Sequence, residues 1–520
     1  MIRENWGTRL GFLLAAIGSA VGLGNIWRFP GVAYESGGGA FLVPYLVALL
    51  TAGIPLLIME FTIGRRYKGS APVAFRRLHK NAEAIGWWQV AIATVIGVYY
   101  AAVIAWACWY GYFSLSREWG SAPDEFLFGD FLQDDGTLNT FSNWLPGIGL
   151  AMIAIWLVTL FVIGSGVRKG IETAGRIFIP LLVVMFGVLV IQALTLEGAA
   201  DGLNAFFAPD WEAVTEPKVW LAAYGQIFFS MSIGFGIMVT YASYLKRKSD
   251  ITTSAFTVGF ANSSFELLAG IGVFAVLGFM AFESGIPIHE QAYAGVGLAF
   301  IAFPAIINTL PFAPGLFGIL FFGSLVLAGW TSLISIIQVP VAAVEDRFGI
   351  SRLKSTLFVG GGIALVSVLL LPTTSGLMRL DMTDYYINQY GIAVAAPVSI
   401  IAVVWLAWKW RELRDNANAT STFKIGPIWL VCLGVITPVM LTAILIFNVH
   451  DLLTADPGDP NDPYGGYNAN QAFGWALALG AIAFGIVMAL LLRRKDVPEL
   501  VDEADVQEQA TLTGGEEEVR

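Results

Sequence analysis

Apolar segments long enough to cross a lipid bilayer recur along this chain from end to end. A helix needs about 20 apolar residues to cross the hydrocarbon core. Only 13% of the residues are charged, whereas soluble domains average about 25%. We therefore predict an all-α polytopic membrane protein with twelve transmembrane helices, over residues 10–30, 39–63, 86–113, 147–164, 173–196, 219–243, 254–282, 314–344, 355–371, 390–409, 424–448 and 471–492.

The sequence contains few of the residue patterns that identify an enzyme. No HExxH, Walker A or GxSxG pattern occurs, so the common signatures of metallopeptidases, NTPases and hydrolases are missing. The two cysteines, Cys108 and Cys432, lie in apolar runs and are too few for a disulfide framework or a cysteine-based metal site. We expect no enzymatic activity and no nucleic-acid partner.

Loop charges predict how the chain is inserted. Basic residues cluster after the even-numbered spans, as at Arg65 and Arg66 and again at residues 246–248, and such clusters stay on the cytoplasmic side. We expect a multi-pass plasma-membrane protein with both termini in the cytoplasm. The net charge of −10 suits a prokaryote from a salt-rich habitat, where acidic groups favour solubility; the sequence leaves that source open.

Two spans contain residues that interrupt helices. The first span holds GSAVGLGN at residues 18–25, and the sixth holds FFSMSIGFG at residues 228–236. A lone glycine in such a helix usually marks close packing, but matching breaks five spans apart indicate two inverted repeats around a transport site. We predict a first repeat over 1–197, an inverted second repeat over 218–410, two accessory helices over 411–495 and an acidic tail over 496–520.

An unwound stretch inside a membrane leaves main-chain groups that must line a cavity or bind a ligand. Free carbonyls bind a hard cation such as sodium, and free amides at a helix start bind a carboxylate. A zwitterionic amino acid together with sodium would use both the free carbonyls and the free amides. The polar side chains at this depth could instead bond back to their own helices; they are Asn25, Ser230, Ser232, Asn262, Glu266, Thr331 and Ser332. Among them, Glu266 is a functional candidate by default, because a carboxylate in mid-membrane is costly.

Several long motifs resemble one known family. WGTRLGFLLAAIGSAVGLGNIWRFP, GGGAFLVPY, GIPLLIMEFTIGRR, AAYGQIFFSMSIGFGIMVTYASY and LAGWTSLISIIQ are similar to the neurotransmitter:sodium symporter family, and most closely to its bacterial amino-acid transporters of the leucine-transporter type. The likeness runs from about residue 3 to residue 410. The last two spans and the tail match weakly.

The resemblance implies two sodium sites, each built from oxygen atoms as a hard ion requires. The first would use the Ala20 carbonyl, the side chains of Asn25, Asn262 and Ser230, and the carboxylate of the substrate. The family often has threonine at the position of Ser230, and serine keeps the hydroxyl. The second would use the carbonyls of Gly18, Val21 and Ala328 with the hydroxyls of Thr331 and Ser332.

The resemblance also implies a substrate pocket. The substrate carboxylate would contact the amides of Leu23 and Gly24 and the Tyr100 hydroxyl. The substrate amino group would contact the carbonyls of Ala20 and Phe229. Amine-transporting relatives carry an aspartate where this chain has Gly22, so an amino acid is expected. The residues expected to surround the substrate side chain are mostly bulky and apolar and carry no charge, which favours a neutral hydrophobic amino acid: Ile96, Tyr100, Phe229, Ser232, Phe235 and Ile336. Without the resemblance, we would assign the aromatic residues among them to core packing.

Charged residues at the two ends of the pathway match gates of the family. Arg28 would pair with Asp384 on the outside, although Asp381 lies close enough to take the same role, and a snorkelling arginine is the alternative. Arg3 and Trp6 would close the inside against Asp346. Glu266 stands where chloride-dependent relatives have serine, and Glu60 matches a buried acid that braces the broken backbone in the family.

We therefore expect a chloride-independent, sodium-coupled importer of a neutral hydrophobic amino acid that works by alternating access. A sensor of the same fold would have the same binding residues and remains an alternative, as does transport of another small carboxylate-bearing amine. A channel would need a continuous polar stripe, whereas the polar residues here cluster at one depth. The sequence leaves the identity of the amino acid, the ion stoichiometry, proton counter-transport and the oligomeric state open.

Overall fold

A computed structural model describes residues 2–138, 143–288, 295–310, 312–454, 469–493, 496 and 501–502. Most of the predicted acidic tail, from residue 496 onward, lies outside the described residues. The main helices are α1 Arg9–Ala20, α2 Leu23–Glu35, α3 Gly39–Tyr67, α4 Ala71–Leu78, α5 Lys80–Phe113, α6 Pro146–Gly164, α7 Val167–Ala193, α8 Ala199–Phe207, α9 Pro217–Ser230, α10 Ile237–Ala242, α11 Ile251–Ser284, α12 Gly295–Thr309, α13 Pro314–Phe348, α14 Arg352–Leu370, α15 Gly376–Leu406, α16 Trp410–Thr420, α17 Pro427–Thr454 and α18 Ala469–Leu492.

The helices confirm the predicted fold class. In the part of the chain that the structure describes, ten helices are long and apolar enough to span a membrane. The pair α1–α2 forms a further span, bent by 56° at its break, which brings the count in the described residues to eleven. Helices α9 and α10, separated by residues 231–236, lie where the sequence predicts an interrupted sixth span. The repeat and domain boundaries stay predictions.

Each break has a local cause in the backbone. In the first, Val21 leaves the helical conformation with ψ at 91°, and Gly22 is extended before α2 begins. In the second, Gly234 and Gly236 take φ angles of 92° and 85°, which cost glycine little and strain other residues. Ser232 also has a positive φ, of 52°, so this non-glycine residue is held by its contacts.

The tenth span begins earlier than the hydrophobic pattern predicts. The apolar run starts near residue 390, but the helix α15 starts at Gly376. Its first turns contain Asp381 and Asp384, both partly exposed to a cavity. A hydropathy pattern cannot find such a start, because polar residues that face a water-filled cavity lower the apolar score without ending the helix.

The long helices α5 and α13 pack along one another and form the centre of the molecule, with α18 on the far side of α5. The half-helix α1 packs against α7, α13 and α11, and α9 and α10, on either side of the second break, both pack against α3. One element was not expected from the sequence: residues Ile2–Arg3 (β1) pair in parallel with Val501–Asp502 (β2). Short helical segments lie at Pro123–Glu125, Phe126–Phe131 and Ala213–Thr215.

Candidate binding site at the two helix breaks

The two breaks meet in the middle of the molecule. The Ser232 hydroxyl in the second break donates to the Ser19 carbonyl in the first at 2.7 Å. A cavity of about 80 Å³ lies between them. All the residues predicted to touch the substrate line this cavity: Ala20, Gly22, Leu23, Gly24, Ile96, Tyr100, Phe229, Ser230, Ser232, Phe235, Ser332 and Ile336.

The cavity also has lining residues that the sequence reasoning missed. Tyr99 and Asn388 both lie at its edge, and both donate to Asp384, at 2.5 and 2.8 Å. Ile392, one turn after Asn388, lines the same edge. Asp384, Asn388 and Ile392 are four residues apart and so lie on one face of a helix. This spacing could have predicted the two later residues, but only if α15 had been known to begin before Asp384.

The side chains predicted for the first ion site form one connected chain. Asn25 Nδ2 donates to Asn262 Oδ1 at 2.8 Å, and Asn262 Nδ2 donates to Ser230 Oγ at 3.1 Å. The Asn25 oxygen accepts the amide of Gly22 at 2.9 Å, which ties the side chain to the break itself. Since Ala20 lines the adjoining cavity, the predicted oxygen ligands lie in one neighbourhood. All of these residues are buried.

The residues predicted for the second ion site also lie together. The Ser332 hydroxyl is 3.5 Å from the Gly18 carbonyl, and the Thr331 hydroxyl donates to the Ala328 carbonyl at 3.0 Å. Val21, in extended conformation, ends α1, so its carbonyl is not directed along the helix. Both clusters consist of carbonyl, hydroxyl and amide oxygens, the ligand chemistry that suits a hard cation.

Glu266 is buried one helical turn after Asn262 and is surrounded by neutral donors. Gln226 Nε2 donates to Glu266 Oε1 at 2.7 Å, and the Tyr45 hydroxyl donates to Oε2. Ser263 is bonded to the same Tyr45 hydroxyl at 2.8 Å. Within the described residues Glu266 has no ion-pair partner within 4.0 Å. It is therefore a fixed carboxylate beside the first ion cluster.

Glu60 braces the second break. Its Oε1 accepts the amide of Gly234 at 2.9 Å, a group that has lost its helical partner. Among the described atoms Oε2 has no hydrogen-bond partner, although Glu60 is only 1% exposed. The contact supports the role that the resemblance implied for this acid.

The residues predicted to close the inner end lie together near the N-terminus. Arg3 and Asp346 make an ion pair whose side chains are only 4% and 3% exposed. Ser70 donates its amide to the second Asp346 oxygen at 2.6 Å. Trp6 closes the same layer, since its Nε1 donates to the Tyr241 carbonyl at 2.9 Å. We call the side of the molecule that carries Arg3 and Asp346 the terminal face.

The expected pair at the opposite end is absent from this structure. Arg28 and Asp384 are not within 4.0 Å of one another; the Arg28 guanidinium lies over the Phe229 ring, 4.2 Å from its centre. Both residues instead line a cavity of about 420 Å³ that adjoins the central site. We call this cavity the vestibule.

Comparison with known proteins agrees with this arrangement. The profile of the Sodium:neurotransmitter symporter family matches residues 3–144 and 120–495. The chain belongs to this family. Membership makes it a sodium-dependent transporter and not an enzyme.

Three relatives show the range of the family. An uncharacterized sodium-dependent transporter of Methanocaldococcus jannaschii is 41% identical over 96% of this chain and 99% of its own length. The sodium- and chloride-dependent GABA transporter 2 of Bos taurus is 31% identical over 92% of this chain and 85% of its own length. The crystal structure of MhsT in complex with L-phenylalanine matches with a TM-score of 0.70 at 32% identity, over 85% of this chain and 99% of that chain.

Proposed function

We propose that this transporter imports a neutral hydrophobic amino acid together with sodium by alternating access. One observation carries the proposal: the two helix breaks meet at a cavity bordered by oxygen clusters and walled by apolar side chains. The breaks supply main-chain amides for a carboxylate and main-chain carbonyls for an ammonium group. A zwitterion uses both.

The surroundings of Gly22 support an amino acid over a simple amine. A Cβ at this position would lie 3.0 Å from Ser332 Oγ and 3.2 Å from the Tyr100 hydroxyl. An acidic side chain is therefore neither present nor easily accommodated at position 22, so we expect the substrate to bring its own carboxylate. The walls formed by Ile96, Phe235 and Ile336 carry no charge and favour an apolar side chain.

Sodium supplies the driving force in this proposal. Each sodium ion that enters is worth about 2.3 kcal/mol per 100 mV of membrane potential, before its concentration gradient is counted. Two ions that carry a neutral zwitterion would together support accumulation of roughly a hundredfold or more. Coupling follows because the substrate carboxylate is itself a ligand of the first ion, so that each increases the affinity for the other.

Uptake by the purified protein in sealed vesicles tests the proposal. We expect labelled phenylalanine, leucine or a related amino acid to accumulate with sodium outside and not with potassium. γ-Aminobutyrate and glycine belong in the same panel, because they test for another carboxylate-bearing amine. Binding without accumulation would favour a sensor, and accumulation that ignores sodium would overturn the proposal.

Substitutions at the two oxygen clusters test the number of ion sites. Thr331→Val and Asn262→Leu each remove one oxygen ligand. Each is expected to lower the apparent sodium affinity by about tenfold, because the bound ion has given up its water and nothing replaces the lost ligand. Thr257→Val is the matched control, since that hydroxyl is exposed and, among the described residues, donates to the Thr253 carbonyl of its own helix. Two sites predict a sigmoidal dependence on sodium. If the dependence of uptake on sodium is hyperbolic and only Asn262→Leu changes the apparent affinity, the protein has a single sodium site.

Chloride independence rests on Glu266. Its fixed negative charge would take the place of a chloride ion beside the first sodium. We expect Glu266→Ser to need chloride for uptake, with at least a roughly tenfold loss when chloride is replaced by gluconate. Uptake by this variant without chloride would contradict the assignment, and a wild type that requires chloride would do so more directly.

A further inference from the structure

The last long helix, α18, ends at a buried cluster of charged residues beside the Arg3–Asp346 pair. Arg347 follows Asp346 directly in α13 and is only 3% exposed. Its Nη2 donates to the carbonyl of Leu492, the last residue of α18, at 2.9 Å. Its Nε donates to Glu83, near the start of α5, at 2.8 Å. One guanidinium group therefore joins the ends of three helices.

A second arginine completes the cluster. Arg76 of α4 forms an ion pair with Glu83, and its Nη2 donates to the carbonyl of Arg493 at 3.0 Å. Two guanidinium groups thus share one carboxylate, which leaves an excess of positive charge facing the end of α18. The last carbonyls of a helix have no partner within the helix and carry the negative end of its dipole. The end of α18 therefore supplies both the acceptors and the negative potential that the cluster needs.

The position of α18 on α5 is fixed close to this cluster. A Cβ at Gly485 would lie only 2.6 Å from the Ala84 carbonyl oxygen, so the two backbones touch. The rings of Phe484 and Trp87 pack edge to face with their centres 6.2 Å apart. Trp87 Nε1 in turn donates to Glu83 at 3.3 Å. A shift of α18 away from α5 would therefore disturb the surroundings of Glu83.

Asp346 and Arg347 bond in different directions from one turn of α13. Successive residues of an α-helix point about 100° apart, and here the first faces Arg3 while the second faces Glu83 and α18. Both side chains are buried. Because they share one turn of backbone, a rotation that pulls Arg347 away from α18 also moves Asp346 relative to Arg3.

We propose that Arg347 is a positioning residue, which docks the end of α13 on the C-terminal end of α18 and so holds Asp346 where it pairs with Arg3. In this arrangement α18, which lies outside both repeats predicted from the sequence, forms part of the frame of the terminal-face gate. When the docking is lost, the Arg3–Asp346 pair separates more often. The proposal rests on the alternating access proposed above, in which this pair closes one end of the pathway.

Thiol labelling tests the docking without any substrate. The reporter is Ser243→Cys, at a position that Arg3 contacts in this structure, in a background with Cys108→Ala and Cys432→Ala. Labelling by a small thiol reagent is measured well below the melting temperature of each variant, so that a loss of stability alone does not expose the cysteine.

The first variant removes the arginine. We expect Arg347→Met to label roughly threefold faster or more, because methionine fills part of the space of the stem and donates no hydrogen bond. Arg379→Met is the matched control, since Arg379 Nη1 donates in the same way to the carbonyl of Leu370, the last residue of α14, at 2.8 Å. It should label at the parent rate. Equal quickening by both variants would assign the effect to general loosening and overturn the proposal.

The second variant moves α18 and leaves every charge in place. Gly485→Val is expected to quicken labelling roughly threefold or more, because its side chain would clash with the backbone of α5 and push α18 away from Arg347. Gly480→Val, in the same helix, is the matched control, since a Cβ there meets no described atom within 4 Å. It should label at the parent rate. This pair of variants carries the test if Arg347→Met fails to fold.

The two variants should act through one contact. The combined variant Arg347→Met/Gly485→Val is expected to label no faster than the faster of the two single variants, because a contact cannot be lost twice. Rates that multiply in the combined variant would overturn the proposal, and so would labelling at the parent rate in both single variants. If no amino acid is transported but the expected labelling pattern holds, the positioning role stands and the proposed function fails.

Discussion

The two ends of the transport pathway differ in how their charged residues are bonded. At the terminal face, Arg3 and Asp346 are paired with each other and buried under Trp6. At the vestibule, Arg28 lies over the Phe229 ring, and Asp384 is bonded to Tyr99 and Asn388. The charged pair is therefore formed at one end and not at the other.

The difference shows how a gate can open without leaving buried charges unpaired. A charge that loses its partner in a low-dielectric environment is costly. In the open vestibule each charged group has another contact, an aromatic ring for Arg28 and neutral hydroxyl and amide donors for Asp384. Arg3 and Asp346 are buried and have each other as partners. We therefore expect water to enter and hydrate both charges when the pair separates.

The largest effect is expected at the closed gate. Asp346→Ala leaves Arg3 buried without its carboxylate, a change that costs about 3–5 kcal/mol for a buried pair. Gate opening at the terminal face should therefore be strongly favoured. Uptake into vesicles should fall by at least roughly tenfold. A small thiol reagent should react faster with Ser243→Cys, a position that Arg3 contacts in this structure, in a background with Cys108→Ala and Cys432→Ala.

The double variant Arg3→Ala/Asp346→Ala is the control for this prediction. It removes both charges, so its thermal stability should exceed that of Asp346→Ala even though the gate stays weak. If the double variant is as unstable as the sum of the two single variants, the pair does not act as a unit. The contrast between the two ends of the pathway would then lose its basis.

The second prediction concerns the open end. Asp384→Asn keeps an oxygen that can accept from Tyr99 and Asn388, so the open state should be preserved. The variant loses the charge that would pair with Arg28 on closing, and transport should fall by roughly tenfold or more. Sodium binding, measured by tryptophan fluorescence, should change much less than transport.

Asp381→Asn decides which acid forms the outer gate. Asp381 lies in the same helix and lines the vestibule but not the central cavity. We expect transport by this variant to stay within about twofold of the wild type, because its charge is not directed to the substrate site. The reverse order of effects in the two variants would assign the gate to Asp381.

A smaller effect is expected from Trp6→Phe. Phenylalanine keeps most of the ring packing against Phe12 and Tyr241 and loses the bond from Nε1 to the Tyr241 carbonyl. One such bond is worth about 1 kcal/mol. Labelling of Ser243→Cys should rise by a few fold, well below the effect of Asp346→Ala. An equal effect of the two variants would show that the ion pair does not dominate this gate.

The smallest effect is expected outside the pathway, at Asp250. This residue caps α11 through the Thr253 amide at 3.1 Å, and loss of such a cap costs about 1 kcal/mol. Asp250→Ala should lower the melting temperature by a few degrees and leave the transport rate unchanged. A change in the transport rate would mean that residues outside the two gates also control transport.

The pH dependence of Asp250 follows from its bonds. Partial burial acts to raise the pKa of its carboxyl, but hydrogen bonds from Thr422 and Thr253 outweigh burial and lower the pKa to about 2. A lowered pKa stabilises the fold above the unfolded value near 3.8, and this contribution is lost as the pH falls toward 2. The stability difference between wild type and Asp250→Ala should therefore be constant from about pH 5 to pH 8.

Much of the binding site was predictable because its residues lie close together in sequence or at helical spacing. The motifs around Gly22 and Ser232 predicted both breaks, and every predicted substrate contact lines the cavity. Tyr45 and Gln226, which bond to Glu266, were missed. They come from separate helices, and no local pattern connects them.

The sequence by itself determined the membrane architecture and the positions of the breaks. Hydrophobic length and glycine placement act locally, so a single chain reveals them. Only the tertiary structure decided which gate is closed, where α15 begins and that the tail pairs with the N-terminal strand. Those features depend on contacts between residues hundreds of positions apart, and the energies of competing partners at Arg3, Arg28 and Asp384 decide among them.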